Sequence, residues 1–128
     1  MTHESIDEKY SGKCIDLIPG KRSIVTLKTE DFMRADNKGL IHGGFTFSLA
    51  DYATMIAVNH PNVVLVNANV KFTSPVKVGD FLIAKAHVYR KSGNKYFVEV
   101  NIQRNEKTVS VGKFKCLILK THVLDTRE

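Results

Sequence analysis

The stretch from Gly44 to Asn59 constrains this chain more than any other, because Phe45, Phe47, Leu49, Ala50, Ala53, Met55, Ile56, Ala57 and Val58 cover most of a helix's circumference. A helix apolar on nearly every side stays in solution only if the rest of the chain wraps it. It ends at His60-Pro61, since the residue before proline avoids the helical region and proline has no amide hydrogen to donate. Everything downstream reads as strand and turn: Val63 to Thr73, Phe81 to Lys91, Lys95 to Arg104 and Thr108 to Leu119 are rich in Val, Ile, Phe and Tyr. Ser74-Pro75 with Val78-Gly79-Asp80, then Ser92-Gly93-Asn94, then Asn105-Glu106-Lys107 supply the turns. Connections so short call for antiparallel neighbours at every step, the first pair included. Upstream, Ser23 to Thr29 alternates with period two and adds a strand ahead of the helix, and Thr29 to Gly39 reads as a loop or a short turn of helix. The order predicts an α+β fold in which a curved antiparallel sheet wraps one long central helix. A single sheet leaves part of that helix uncovered, which is a physical reason to form a homo-oligomer, dimer or dimer of dimers, that extends the sheet across the interface.

A length of 128 residues accommodates one domain, 1–128, with nothing left for a linker and a second module. Residues 1 to about 20 alternate poorly and end at Pro19-Gly20; they read as a loosely structured lead-in, with room for a short helix or an edge strand and with little function. No apolar run approaches the ~20 residues of a membrane helix, and Met1 to Ser5 is unlike a signal peptide, so a cytoplasmic protein with no membrane partner is expected. Cys14 and Cys116 lie far apart, with no CxxC or Cys/His cluster, so neither a disulfide nor a metal is expected. The net charge of +6 favours anionic partners: coenzyme A phosphates, an acidic carrier protein or nucleic acid. The bases are scattered, and they read as a solvated face without the clustering and aromatic interleaving of a nucleic-acid surface.

Chemistry concentrates in Gly39-Leu40-Ile41-His42-Gly43-Gly44-Phe45-Thr46-Phe47-Ser48-Leu49-Ala50-Asp51. Two glycines stand where the helix begins. Glycine lets the backbone approach a ligand closely, and the first amides of a helix lack internal partners and sit at the positive end of its dipole, which suits a developing oxyanion. Asp51 falls nine residues after His42, about two turns into the apolar helix. A carboxylate there is either paired for structural reasons or, lining a cleft, placed as nucleophile or general base. Arg90, Lys91 and Lys95 flank a glycine-containing turn, where they would receive coenzyme A phosphates or simply be solvated hairpin charges. His60 and His87 read as satisfied structural residues, and Thr73 and Ser74 lack the partners of a serine-type nucleophile.

The segment Gly39 to Asp51, together with Asn69-Val70-Lys71-Phe72-Thr73-Ser74-Pro75-Val76-Lys77-Val78-Gly79-Asp80, resembles the hotdog-fold thioesterases of the phenylacetic-acid-pathway and acyl-CoA thioesterase type. That resemblance covers roughly residues 23 to 119. It implies a hotdog fold and hydrolysis of an acyl-CoA or acyl-carrier-protein thioester, with no cofactor beyond the coenzyme A of the substrate. It implies further that Asp51 is the catalytic carboxylate, that the Gly44 amide in the His42-Gly43-Gly44 turn polarises the carbonyl, and that His42 supports the turn. The family's sites form across a dimer, the turn from one subunit facing the aspartate of the other. Many relatives carry asparagine six residues before that histidine, where this chain has Asp36 followed by Asn37. Asn37 would take over the role, Asp36 would act as a second acid that raises the pKa of Asp51, or the segment is only a turn. Two other readings of the same fold stand beside hydrolysis: a protein that binds acyl-CoA without cleaving it, as a sensor or regulatory factor, and a hydratase or dehydratase, whose His-containing patterns are missing.

Overall fold

A computed structural model describes residues 1–125. Helix α2 (Gly43–Val58) follows the expected stretch to within a residue at each end, and Asn59 caps it in left-handed backbone, φ 52°. Strands β2 (Arg22–Lys28), β3 (Val63–Phe72), β4 (Phe81–Ser92), β5 (Lys95–Arg104) and β6 (Lys107–Ile118) likewise match the runs read from the sequence. The first 20 residues hold both of the elements for which they had room, a short helix and an edge strand. Helix α1 (Glu8–Ser11) and strand β1 (Lys13–Ile18) occupy them, and β1 pairs with β2 to form one edge of the sheet. Gly12, between the two, holds φ 100°; a Cβ there would stand 2.7 Å from the Thr26 carbonyl oxygen, so only glycine lets α1 close onto β2.

All six strands form one antiparallel sheet in the order β1-β2-β4-β5-β6-β3. Its concave face supplies Val25, Leu82, Ala84, Val98, Val100, Ile102 and Phe114, and these bury Leu49, Ala53, Ile56 and Ala57 of α2. Each large aliphatic buried this way contributes about 1.5–3 kcal/mol. Small residues at Ala84 and Ala86 let the helix lie close, and Ser23 Oγ donates to the Ala53 carbonyl at 2.6 Å to tie β2 to its middle. The stripe of α2 least covered by the sheet is Gly44, Phe47, Ser48 and Asp51, spaced as one helical face.

One neighbour relation differs from expectation. β3 pairs with β6 rather than β4 and forms the far edge of the sheet. The segment 73–80 therefore crosses three strand spacings, about 14 Å, a distance eight residues span easily. It is pinned along the way. The Thr73 amide donates to the Val109 carbonyl, the Ile41 amide to Val76 and the Val78 amide to Gly39, while Val76 enters the core. At its end the Asp80 carboxylate accepts from the Lys77 amide and from Arg104, at 2.9 and 3.0 Å. This crossing buttresses the loop that leads into the glycine turn, which is why a Pro and a Gly-Asp pair sit there.

Candidate active site

Helix α2 starts at His42, its N-cap, whose Nδ1 accepts a hydrogen bond from the Gly44 amide at 2.7 Å. Nδ1 must be unprotonated to accept. A Cβ on Gly44 would stand 2.8 Å from that nitrogen, so glycine is what lets the ring fold over the turn. The expectation that the Gly44 amide points out at a ligand is thereby corrected for this conformation: an intrachain acceptor satisfies it. The Gly43 amide has no partner among the described residues. Among the described residues a Cβ on Gly43 would meet only Phe72, at an ordinary 3.7 Å. Gly43 lines a cavity of about 290 Å³ with Ile41, Thr46, Phe72, Ser74 and Val109.

Asp51 lies two turns further along and opens on a different cavity, of about 320 Å³, shared with His3, Met55, Val64, Leu65 and His122. Its Oδ1 is buried without a hydrogen-bond partner among the described residues. Burial holds the carboxyl above the usual aspartate range, and the charge of His3 draws it partly back. The Cys116 thiol behind it is pushed up to about 12, first by burial and then by the Asp51 charge, so it is an inert core sulfur. Gly44 and Asp51 share a helix face but are separated by about 10 Å of helical rise. A reacting carbonyl must lie about 3 Å from both donor and base, so one copy of the chain cannot apply both to the same carbonyl.

The remaining predicted residues sort by location. Asp36 Oδ1 accepts from the amides of Lys38 and Leu40, at 2.9 and 3.1 Å, and so closes the turn before the glycine motif. Within one chain Asp36 is not among the charges acting on Asp51, whose carboxyl is raised by burial. Asn37 is exposed on the same turn. Lys95 pairs with Leu117, which pairs with Val64 of the Asp51 cavity; the β4–β5 hairpin thus stands at the Asp51 end of the sheet. Arg90 lies over the Phe97 ring at 5.0 Å and Lys91 over Tyr96 at 5.1 Å. With Lys113 over Tyr89 and Lys115 over Phe97, the outer sheet face does interleave bases with aromatics, contrary to the sequence reading. His60 Nδ1 accepts from the Asn62 amide, a structural role. Sequence reasoning missed His3 at the Asp51 cavity. No local pattern marks it, because only the chain's path brings it there. Among the described residues no cluster of His, Cys, Asp and Glu is arranged to hold a metal ion, and no helix is long and apolar enough to cross a membrane.

Comparison with known proteins adds the family. The model described as the Thioesterase superfamily matches residues 38–111, the span from the glycine turn to β6. A solved structure of an uncharacterized protein, PH1136 from Pyrococcus horikoshii, is 52% identical, with 97% of this chain and 95% of that one superposed at a TM-score of 0.94. The Escherichia coli PaaI protein, from the phenylacetic acid degradation operon, shares the fold at 24% identity and a TM-score of 0.84, over 94% of this chain and 88% of that one. Among curated proteins, the methylthioribose-1-phosphate isomerase of Aquifex aeolicus is 51% identical over 92% of this chain and 26% of its own length. The transcription factor FapR of Caldanaerobacter subterraneus subsp. tengcongensis is 41% identical over 91% of this chain and 58% of its own length. The chain thus spans about a quarter of the first and just over half of the second.

Proposed function

The chain belongs to the thioesterase superfamily, and from that premise we propose that it is an acyl thioesterase, hydrolysing an acyl-CoA or acyl-carrier-protein thioester to free acid and thiol as a homodimer or a dimer of dimers. One observation carries the reading. The two half-sites lie at opposite ends of the same free edge strand: the glycine-turn cavity at the Phe72 end of β3, the Asp51 cavity at the Val63–Leu65 end. Ten residues of unpaired edge, with Val66 and Phe72 exposed, are a template for pairing with a second copy. Antiparallel pairing about a two-fold axis brings the turn of each subunit to the Asp51 of the other.

At such a site Asp51 accepts the proton of a water as its oxygen attacks the thioester carbonyl carbon; alternatively the carboxylate attacks directly and water releases the acyl group afterwards. Its raised pKa makes it a better base than an exposed aspartate. The unpartnered Gly43 amide and the end of the helix dipole receive the oxyanion, joined by Gly44 once the His42 ring turns aside. The C–S bond then breaks: on the general-base route the thiolate takes the proton back from Asp51, and on direct attack it leaves as thiolate and gains its proton from the water that hydrolyses the acyl–aspartate anhydride. Arg90, Lys91 and Lys95, with Asp36 and Asn37 at the mouth of the turn, are the candidate contacts for the rest of the substrate.

The test is release of free thiol from short-chain, long-chain and aryl acyl-CoAs by wild type and Asp51→Ala. Turnover that falls about 10²–10⁴-fold in the variant supports hydrolysis through Asp51; equal rates sink it. A second reading, binding of an acyl thioester without cleavage, is favoured by the capped Gly44 amide and by the match to nearly the whole chain in a transcription factor. It predicts saturable acyl-CoA binding with no thiol release from either protein.

A further inference from the structure

His3 lines one side of the Asp51 cavity, and the residue before it is tied down. The Thr2 amide donates to Asn59 Oδ1 and the Thr2 hydroxyl to the His60 carbonyl, each at 3.0 Å, which fastens the segment to the C-terminal end of α2. The hydroxyl has one proton, and it is committed to His60. It therefore accepts from His3 Nδ1, also 3.0 Å away, which fixes the tautomer and leaves Nε2 to take or give the second proton. His3 itself adopts left-handed backbone, φ 56°, a conformation sustained only where the surroundings impose it. This anchoring delivers one imidazole to the cavity in which a buried carboxylate oxygen lacks a partner.

We propose that His3 is a positioning residue for Asp51: as an imidazolium it is the charge partner of the carboxylate and extends towards acid the pH range in which Asp51 is ionised. The proposal rests on the reading of Asp51 as the catalytic base. Of the other groups facing Asp51, Cys116 of β6 stays a neutral thiol, Met55, Val63, Val64 and Leu65 are apolar, and His122, on the segment after β6, is the further ionisable group among the described residues lining the cavity. Burial lowers the pKa of His3 and raises that of Asp51, and each is drawn partly back by the charge of the other.

Two measurements test it. Histidine ring signals are titrated by NMR in wild type and Asp51→Asn, with His3→Gln assigning the His3 resonance. The pKa of His3 is expected to fall in Asp51→Asn; an unchanged value overturns the pairing, whether or not the protein turns over any substrate. In the pH profile of kcat/KM on an acyl-CoA, His3→Gln is expected to move the acid limb to higher pH, losing about tenfold below it for each unit moved, and to keep the wild-type plateau at high pH. An equal loss at every pH would make His3 merely structural. If wild type hydrolyses nothing, the thioesterase reading fails and the NMR titration alone decides the pair.

Discussion

Replacing Asp51 by Asn should stabilise the fold at alkaline pH even as it abolishes turnover. The carboxyl is largely buried, its Oδ1 has no hydrogen bond among the described residues, and burial raises its pKa. A group with a higher pKa folded than unfolded binds its proton more tightly in the native state, so its contribution to stability is fully present below the unfolded pKa and is lost as pH rises through the folded one. Asparagine carries no charge at any pH and escapes that loss. Burying the ionised carboxylate costs more than burying a neutral amide, and His3, its pKa lowered by burial, carries no charge at pH 8 to offset it, so the gain there should be about 1–2 kcal/mol. For a domain of this size that is roughly 4–8 °C in Tm. Thermal unfolding followed by circular dichroism at pH 8 and again near pH 4 measures it. The variant should melt higher at pH 8, and the difference should close at low pH, where the wild-type carboxyl is protonated. An equal or lower Tm at pH 8 would refute the reasoning, because it would mean that the assembled protein already satisfies the carboxylate.

Two further substitutions probe the other half-site and the edge. Gly44→Ala places a Cβ 2.8 Å from His42 Nδ1 and turns the ring off its cap; losing the cap costs about 1 kcal/mol, and the better helix propensity of alanine returns about as much. Calorimetry should therefore show little change in Tm, and thiol release should not fall, because the displaced ring frees the residue-44 amide for the oxyanion; a lowered kcat at unchanged Tm would remove that amide from the oxyanion site. Val66→Lys puts a charge on the exposed edge of β3, where the same strand of a second copy would pair; sedimentation should show monomers, inactive in the thiol-release assay. An active monomer would refute the shared site.

What the residues alone determined was local. Helix α2 was legible from its apolar circumference and from Pro61, and the four downstream strands from their composition and their turns, each to within a residue or two, because period and turn chemistry act over a few neighbouring residues. The glycine turn and Asp51 stood out for the same reason: two glycines at a helix start and a carboxylate in an apolar helix are anomalies visible in sequence. Tertiary structure decided the rest. β3 went to the sheet edge beside β6, although the chain leads directly from it to β4, because closing a sheet around a helix is settled by which edges meet and not by which strands are consecutive. Asp36 was drawn into its own turn, and the His42 ring took the Gly44 amide, choices among hydrogen-bond partners that composition does not rank. His3 reached Asp51 only because Thr2 is fastened to the end of α2. Contacts between residues so far apart in the chain depend on the path of the whole fold, and no window of sequence contains that path.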